Sequence, residues 1–286
     1  MKTPKIAAIV YDFDGTLASG NCVEHGLLES LGITSSDNFW KEVKERTKRE
    51  DADQILTYMQ IVAEKATQSQ QSLLSPEKLQ EFGKSIPLFE GLDSWFERIN
   101  AFAKEKDLIL EHYVVSSGLK EMIRGCKIGP KIKHIYACQF MKVDGGSYCP
   151  SVAINYTTKT QYLFRINKGL HNNWDDESIN RWMADNERPM PFERMIYLGD
   201  GDTDIPSMKM VAYKGGQSIA VFDPSEWEQQ KNKDKISRLI AEKRVNFVAP
   251  GDFSEGELLD ILIRGIIGRY ARDVGYKGKT NNKECI

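Results

Sequence analysis

Short apolar runs recur along the chain at 6–11, at 108–110 with 113–115, and at 195–198, 219–222 and 245–248, with Asp, Ser, Gly or Pro close behind each. Runs of this length, bounded by turn residues, fit strands buried on both faces. The stretches between them are long enough and polar enough for helices. Strands alternating with helices predict an α/β fold, a doubly wound, Rossmann-like domain built on a mostly parallel sheet. Ligands bind such sheets at the carboxyl ends of the strands. The residues that follow each run are therefore where chemistry is expected.

Residues 19–86 break this rhythm. Phe39, Val43, Ile55, Tyr58, Met59, Val62 and Ala66 recur at three- and four-residue spacings, the period of a helix. Ser75 followed by Pro76 reads as an N-cap with Pro in the first turn. The block is a helical insertion, and 87–91 is the segment that returns from it. The expected organisation is a core of 1–18 and 87–275, a helical unit of 19–86, and a flexible polar tail of 276–286. A smaller excursion spans 172–191, where Asp175 would cap a short helix. Trp174 and Trp182 within it are read as core or as a wall of the site. A C-terminal helix at 257–270 would pack on the sheet through Leu258, Ile261, Leu262, Ile266 and Ile267. The cluster of Lys231, Lys233 and Lys235 reads as a solvated loop.

Composition narrows the class without naming a chemistry. Of 286 residues, 39 are Lys or Arg and 41 are Asp or Glu, and 41% are hydrophobic. That balance excludes a collagen, a coiled-coil rod and a disordered chain. It also argues against nucleic-acid binding by bulk charge. No apolar run reaches the length of a membrane span, and the apolar stretch behind the basic residues 1–5 is too short for a signal peptide. The five cysteines are scattered and odd in number. They are expected as reduced thiols in the cytoplasm.

The candidate chemistry lies at the strand ends. The first run delivers Asp12, Asp14 and Thr16, and the third delivers Asp200, Asp202 and Asp204. Such carboxylates at one sheet edge would repel one another unless a hard divalent cation joined them. The competing reading is that Asp12 and Asp204 cap turns and helices. The second run delivers Ser116, Ser117 and Gly118, which read either as a phosphate-binding helix start or as an ordinary N-cap. Lys159 lies at the start of a helical run, where the helix dipole does not favour it. It is a surface residue unless a phosphate sits beside it.

In this order the four elements resemble the haloacid dehalogenase superfamily of phosphohydrolases. The resemblance covers the chain from residue 6 to about 221: the D-x-D-x-T motif at Asp12, Asp14 and Thr16, a Ser at Ser116, a Lys at Lys159 in preference to Lys168, and G-D-x-x-x-D at Asp200 and Asp204. It implies that Asp12 is the nucleophile, that Asp14 is the general acid and base, and that Ser116 and Lys159 complete the catalytic set. Thr16, Ser117 and Gly118 would bind substrate. Mg²⁺ would be held at Asp12, Asp14 and Asp200, with Asp204 in the same metal set or orienting Lys159. Gly15 would let the backbone approach the phosphoryl group.

The resemblance further implies that 19–86 is a cap and that the substrate is a small phosphorylated metabolite. Residues 143–156 look like the hairpin of phosphoserine-phosphatase-like members, turning at Asp144, Gly145 and Gly146. The chain departs from that branch at Gly15, at Asn21 where an amine-reading Glu is expected, and at Thr203. Glu24, which follows closely, is a substitute by another route. These departures put phosphoserine itself in doubt. Glu24, His25, Arg46, Arg49 and Tyr58 are the cap candidates for substrate selection. The expected activity is a Mg²⁺-dependent phosphomonoesterase. A phosphotransferase or mutase, and a phosphate-ester-binding regulator without turnover, are the alternatives.

Overall fold

A computed structural model of the chain describes residues 5–69, 72–201 and 203–280, with the backbone alone for 274–280. Its elements are, in order, β1 (Lys5–Tyr11), α1 (Leu27–Ser30), α2 (Ser36–Glu50), α3 (Gln54–Gln68), α4 (Pro76–Gly83), α5 (Leu92–Glu105), β2 (Leu108–Leu119) and α6 (Lys120–Gly125). They continue with β3 (His134–Lys142), β4 (Tyr148–Val152), α7 (Lys159–Lys168), α8 (Asp176–Asn180), β5 (Met195–Gly199), α9 (Ile205–Tyr213), β6 (Gln217–Phe222), α10 (Gln230–Ala241), β7 (Phe247–Pro250) and α11 (Leu258–Thr280). The seven strands form one sheet in the order β4-β3-β2-β1-β5-β6-β7. All neighbours run parallel except β3 and β4. This is the doubly wound α/β fold expected from the apolar runs.

The sheet is held by unbroken apolar strands. Ala7 through Tyr11 of β1 and all five residues of β5 are fully buried. Helix α5 packs on β2, α9 on β5 and β6, and α11 on β7. Phe96 and Ile99 of α5 are buried there, and each contributes about 1.5–3 kcal/mol by leaving water. Register brings the working ends level: Tyr11 lies beside Val114 of β2 and Leu198 of β5. Residues just beyond these positions therefore meet at one edge.

The insertion between β1 and α5 is helical, as its periodicity requires. Ser35, Asp53 and Ser75 cap α2, α3 and α4 through their side chains, with Pro76 in the first turn of α4. Helices α2 and α3 bury Phe39, Val43, Tyr58, Met59 and Val62, and Arg46 grips Glu64 with two bonds of 2.7 and 2.8 Å. Helix α4 lies against α6 with backbone touching backbone. A Cβ at Gly83 would stand 2.0 Å from the Met122 carbonyl oxygen, and one at Gly125 would stand 2.1 Å from that of Gln80. The chain returns beside its own exit, Phe89 N–H donating to the Leu17 carbonyl at 3.0 Å. The hairpin of β3 and β4 turns through Gly145 and Gly146, both at positive φ.

Several expectations are corrected. β2 is one strand that runs on through 116–119 after an irregularity in its pairing with β3, so Ser116 lies inside a strand. β7 starts at Phe247, because Asn246 turns its side chain back to the Ser218 backbone and hydroxyl. The buried face of α11 is Leu259, Ile263, Ile266, Ile267 and Tyr270, whereas Leu258 and Ile261 are exposed. The lysine cluster opens helix α10 rather than forming a loop. Asp175 does cap α8, but Trp174 and Trp182 are 79% and 82% exposed and are neither core nor wall. The tail expectation at 276–286 meets a helix through Thr280, and 281–286 lie outside the described residues. Among the described residues no helix is long and apolar enough to cross a membrane, and Cys22, Cys126, Cys138 and Cys149 are free thiols. Cys285 lies outside the described residues.

Candidate active site

Asp12 leaves β1 with its N–H still bonded to the Leu198 carbonyl at 2.8 Å, so the sheet itself fixes its backbone. Its Oδ1 accepts from the Phe13 N–H at 2.8 Å and lies 2.9 Å from the Lys159 ammonium. That leaves Oδ2 without a protein donor in these pairings. The next residues form a tight turn, with Gly15 at φ +73° against the Asp200 side chain. Asp14 Oδ1 accepts from the Cys22 N–H at 2.8 Å. Burial raises the Asp14 carboxyl to about 7.

Lys159 is the first residue of α7 and is fully enclosed. Its ammonium bridges Asp12 at 2.9 Å and Asp204 at 2.8 Å. Burial alone would lower its pKa, but the two carboxylates outweigh that and hold it above the ordinary lysine value. Asp204 is buried behind the site. Its Oδ1 takes the Lys159 ammonium and the Tyr197 hydroxyl at 2.6 Å, and its Oδ2 takes the Asp200 N–H at 3.2 Å. Burial, then Asp204, pushes Asp12 well above the usual carboxylate range, and the same two causes raise Asp200 to about 6.

These residues fit a divalent cation. One oxygen each from Asp12, Asp200 and Asp204 lies within 4.8 Å of the others. Four carboxylates, counting Asp14, face two ammonium groups, Lys159 and Lys235. With all four ionised the group carries two negative charges in excess, and a hard cation with oxygen ligands removes that excess.

A cavity of about 330 Å³ opens over Asp12, Asp14, Lys159 and Asp200. Its far wall comes from the insertion and the hairpin exit: Asn21, Trp40, Gln54, Ile55, Tyr58 and Tyr156. Ser117 and Thr203 also line it. Ser116 is buried beside it, its Oγ accepting from the Gly118 N–H at 2.9 Å. It is not a helix cap, since α6 begins at Lys120 behind Leu119. Thr16 is fully buried, its hydroxyl without a protein partner, and neither it nor Gly118 lines the cavity. A larger cavity of about 960 Å³, touching Lys5 and Gln217, lies at the amino ends of the strands, away from the carboxylates.

The cap candidates divide. Tyr58 lines the cavity and donates its hydroxyl to the Ser117 carbonyl at 2.9 Å. Glu24 is bound to the Trp40 indole N–H at 2.6 Å and is not in the wall. Arg46 is taken by Glu64 and Arg49 by Glu50, while His25 lies 3.4 Å from the Ser19 carbonyl. Lys168 bonds the carbonyls of Ile179 and Arg181, away from the site. Asp202 lies outside the described residues. Sequence reasoning missed Trp40, Gln54, Ile55 and Tyr156 in the wall. It also missed Lys235, whose ammonium stands 3.6 Å from Asp200. Ile55 carried a helical signal, but nothing local marked Trp40 or Lys235 as facing the site.

The family model for haloacid dehalogenase-like hydrolases matches residues 9–209. The chain belongs to this family. An uncharacterized protein of Borreliella burgdorferi is 26% identical to this hydrolase over 285 residues, covering 89% of this chain and 94% of its own. A HAD family hydrolase structure from Salmonella enterica serovar Typhi superposes with TM-score 0.54 at 14% identity, over 92% of this chain and 72% of the other. The structure of a probable phosphoserine phosphatase from Vibrio cholerae gives TM-score 0.54 at 13% identity, over 94% of this chain and 67% of the other. At such identities the two structures speak for the hydrolase's fold.

Proposed function

We propose that this hydrolase is a Mg²⁺-dependent phosphomonoesterase that cleaves a small phosphorylated metabolite through an aspartyl-phosphate at Asp12. It would work in the cytoplasm, where thiols such as Cys22 and Cys138 stay reduced. The observation that carries the reading is the Asp12 carboxylate, pinned at one oxygen by Phe13 and Lys159, facing a cavity that also holds Asp14.

Oδ2 of Asp12 attacks phosphorus as the bond to the leaving oxygen breaks, and Asp14 gives that oxygen its proton. Asp14 then takes a proton from the water that attacks the aspartyl-phosphate, which restores Asp12 and frees inorganic phosphate. Lys159 favours the ionised form of Asp12 against the rise caused by burial and Asp204 and lies beside the phosphoryl oxygens, and Ser117 offers them polar contacts. Asp204 holds Lys159 in place. Ser116 fixes the Gly118 backbone under Asp14, and Thr16 stands behind the turn. Asp12, the main-chain carbonyl of Asp14 and Asp200 would hold the cation, which would supply charge neutralisation for the transferred group.

The test is phosphate release from an aryl phosphate with and without Mg²⁺, in the native protein and in Asp12→Asn. Mg²⁺-dependent release lost in the variant is expected. Absence of release from a broad panel of phosphate esters sinks the proposal.

A further inference from the structure

We infer that the leaving group of the substrate is an uncharged alcohol carrying a single ring; this rests on the phosphatase reading above. Among the described residues of the cavity, the charged ones are Asp12, Asp14, Lys159 and Asp200. All four belong to the phosphoryl end, where Lys159 is paired with Asp12 and Asp204. The opposite wall offers Trp40, Tyr58, Tyr156 and Ile55, with the neutral amides of Asn21 and Gln54 between them.

The charged groups of the insertion nearest this wall are already engaged. Glu24 holds the Trp40 indole N–H, Arg46 holds Glu64, and Asp53 accepts from the Asn155 side chain at 2.7 Å while capping α3. An ammonium or carboxylate on the leaving group would find no oppositely charged side chain in this wall, and burying it unpaired costs more than burying a neutral hydroxyl. The aromatic surface favours the opposite choice. With its single polar atom given to Glu24, the indole of Trp40 presents carbon to the cavity, and the Tyr58 hydroxyl is likewise spent on Ser117. Trp40 and Tyr58 brace each other edge-on at 5.7 Å. Such surfaces bind the face of a ring, sugar or aromatic, while Asn21 and Gln54 meet its hydroxyls. A cavity of about 330 Å³ is at the small end for ligand sites and takes one ring with its phosphate.

The experiment compares kcat/KM, with Mg²⁺, for glucose 6-phosphate and benzyl phosphate against phosphoserine, phosphoethanolamine and 3-phosphoglycerate, with glycerol 1-phosphate as an uncharged chain. At least one ring ester is expected to exceed every charged chain by about tenfold or more, and which ring leads tells sugar from aromatic. In Trp40→Ala, KM for the leading ring ester is expected to rise about tenfold, with glycerol 1-phosphate little changed and Trp40→Phe recovering most of the loss. If a charged chain is cleaved as well as the rings, the inference falls and the phosphatase reading stands. Equal effects of Trp40→Ala on ring and chain esters also overturn it. No release from any ester overturns both.

Discussion

The Lys235 ammonium, projecting from the first turns of α10, stands 3.6 Å from the Asp200 carboxylate. It is a fixed positive charge beside a group proposed to hold a cation, so it competes with that cation. With the screening of bulk water the repulsion at this distance is about 1 kcal/mol, which corresponds to about fivefold in affinity. We predict that Lys235→Met lowers the Mg²⁺ concentration for half-maximal activity by about that factor. A Mg²⁺ titration of phosphate release measures it, and a rise in that concentration would contradict the prediction.

Lys159 is the sole described cation in contact with Asp12 and Asp204 in the interior. Removing one partner of a buried ion pair costs about 3–5 kcal/mol because the remaining charges are left uncompensated. Lys159→Met should therefore lower the urea midpoint strongly in EDTA. Mg²⁺ should restore part of the stability, since it supplies positive charge to the same carboxylates. Activity should fall in either case. A variant as stable in EDTA as the native protein would contradict the prediction.

His112 lies under the site in a one-way chain of hydrogen bonds. The Trp95 indole N–H donates to the Tyr11 oxygen at 3.0 Å, the Tyr11 hydroxyl lies 3.0 Å from His112 Nδ1, and His112 Nε2 lies 3.1 Å from Asn100 Oδ1. The chain closes with a neutral imidazole that accepts from Tyr11 and donates to Asn100. Burial lowers the His112 pKa from 6.5 to about 3. The unfolded chain thus binds a proton that the folded one refuses. The resulting stability is fully present above pH 6.5 and is lost as pH falls toward 3, by at most about 1.4 kcal/mol per pH unit. Burial lowers His134 to about 4 and adds in the same direction. Urea midpoints measured from pH 7 to pH 4 should fall less steeply in His112→Gln than in the native protein.

A Cβ at Gly118 would sit 2.6 Å from Cys22 Sγ and 3.1 Å from Asp14 Oδ2. Gly118→Ala must push on the residue whose N–H holds Asp14. Displacements near 1 Å at a reacting group cost about 10²-fold in rate. We predict a fall in kcat of about that size with the thermal midpoint much less affected. Normal turnover by the folded variant would exclude a proton-transfer role for Asp14 in its present position.

The sheet was legible in the sequence because buried parallel strands leave continuous apolar runs, and the carboxylates at their ends followed from chain direction alone. Asp12, Asp14, Lys159, Asp200 and Asp204 do converge. Position within the convergence was not legible. Ser116 looked like a helix start, but β2 continues past it. Asp204 reads like its neighbours in sequence, yet it is fully buried and does not line the cavity. Lys235 and Tyr156 reach the site from elements whose local pattern resembles any surface helix or loop. Ile55 was visible as helical periodicity and Trp40 was not, but which face the two turn to Asp12 depends on how α2 and α3 sit over the sheet, a tertiary fact. The exposed Trp174 and Trp182 failed for the converse reason, since size and spacing do not fix burial.

The glycine seam between α4 and α6 divides the labour within the insertion. With Gly83 and Gly125 bringing the two backbones into contact, α4 has no slack in which to slide and travels with the sheet as a fulcrum. Helices α2 and α3 carry no glycine and form no such seam. Their ties to the catalytic half include the Tyr58 bond to Ser117 and the Asp53 bond to Asn155, each a single hydrogen bond. Any movement of the insertion against the sheet would therefore be carried by α2 and α3, the helices that place Trp40 and Tyr58 over Asp12.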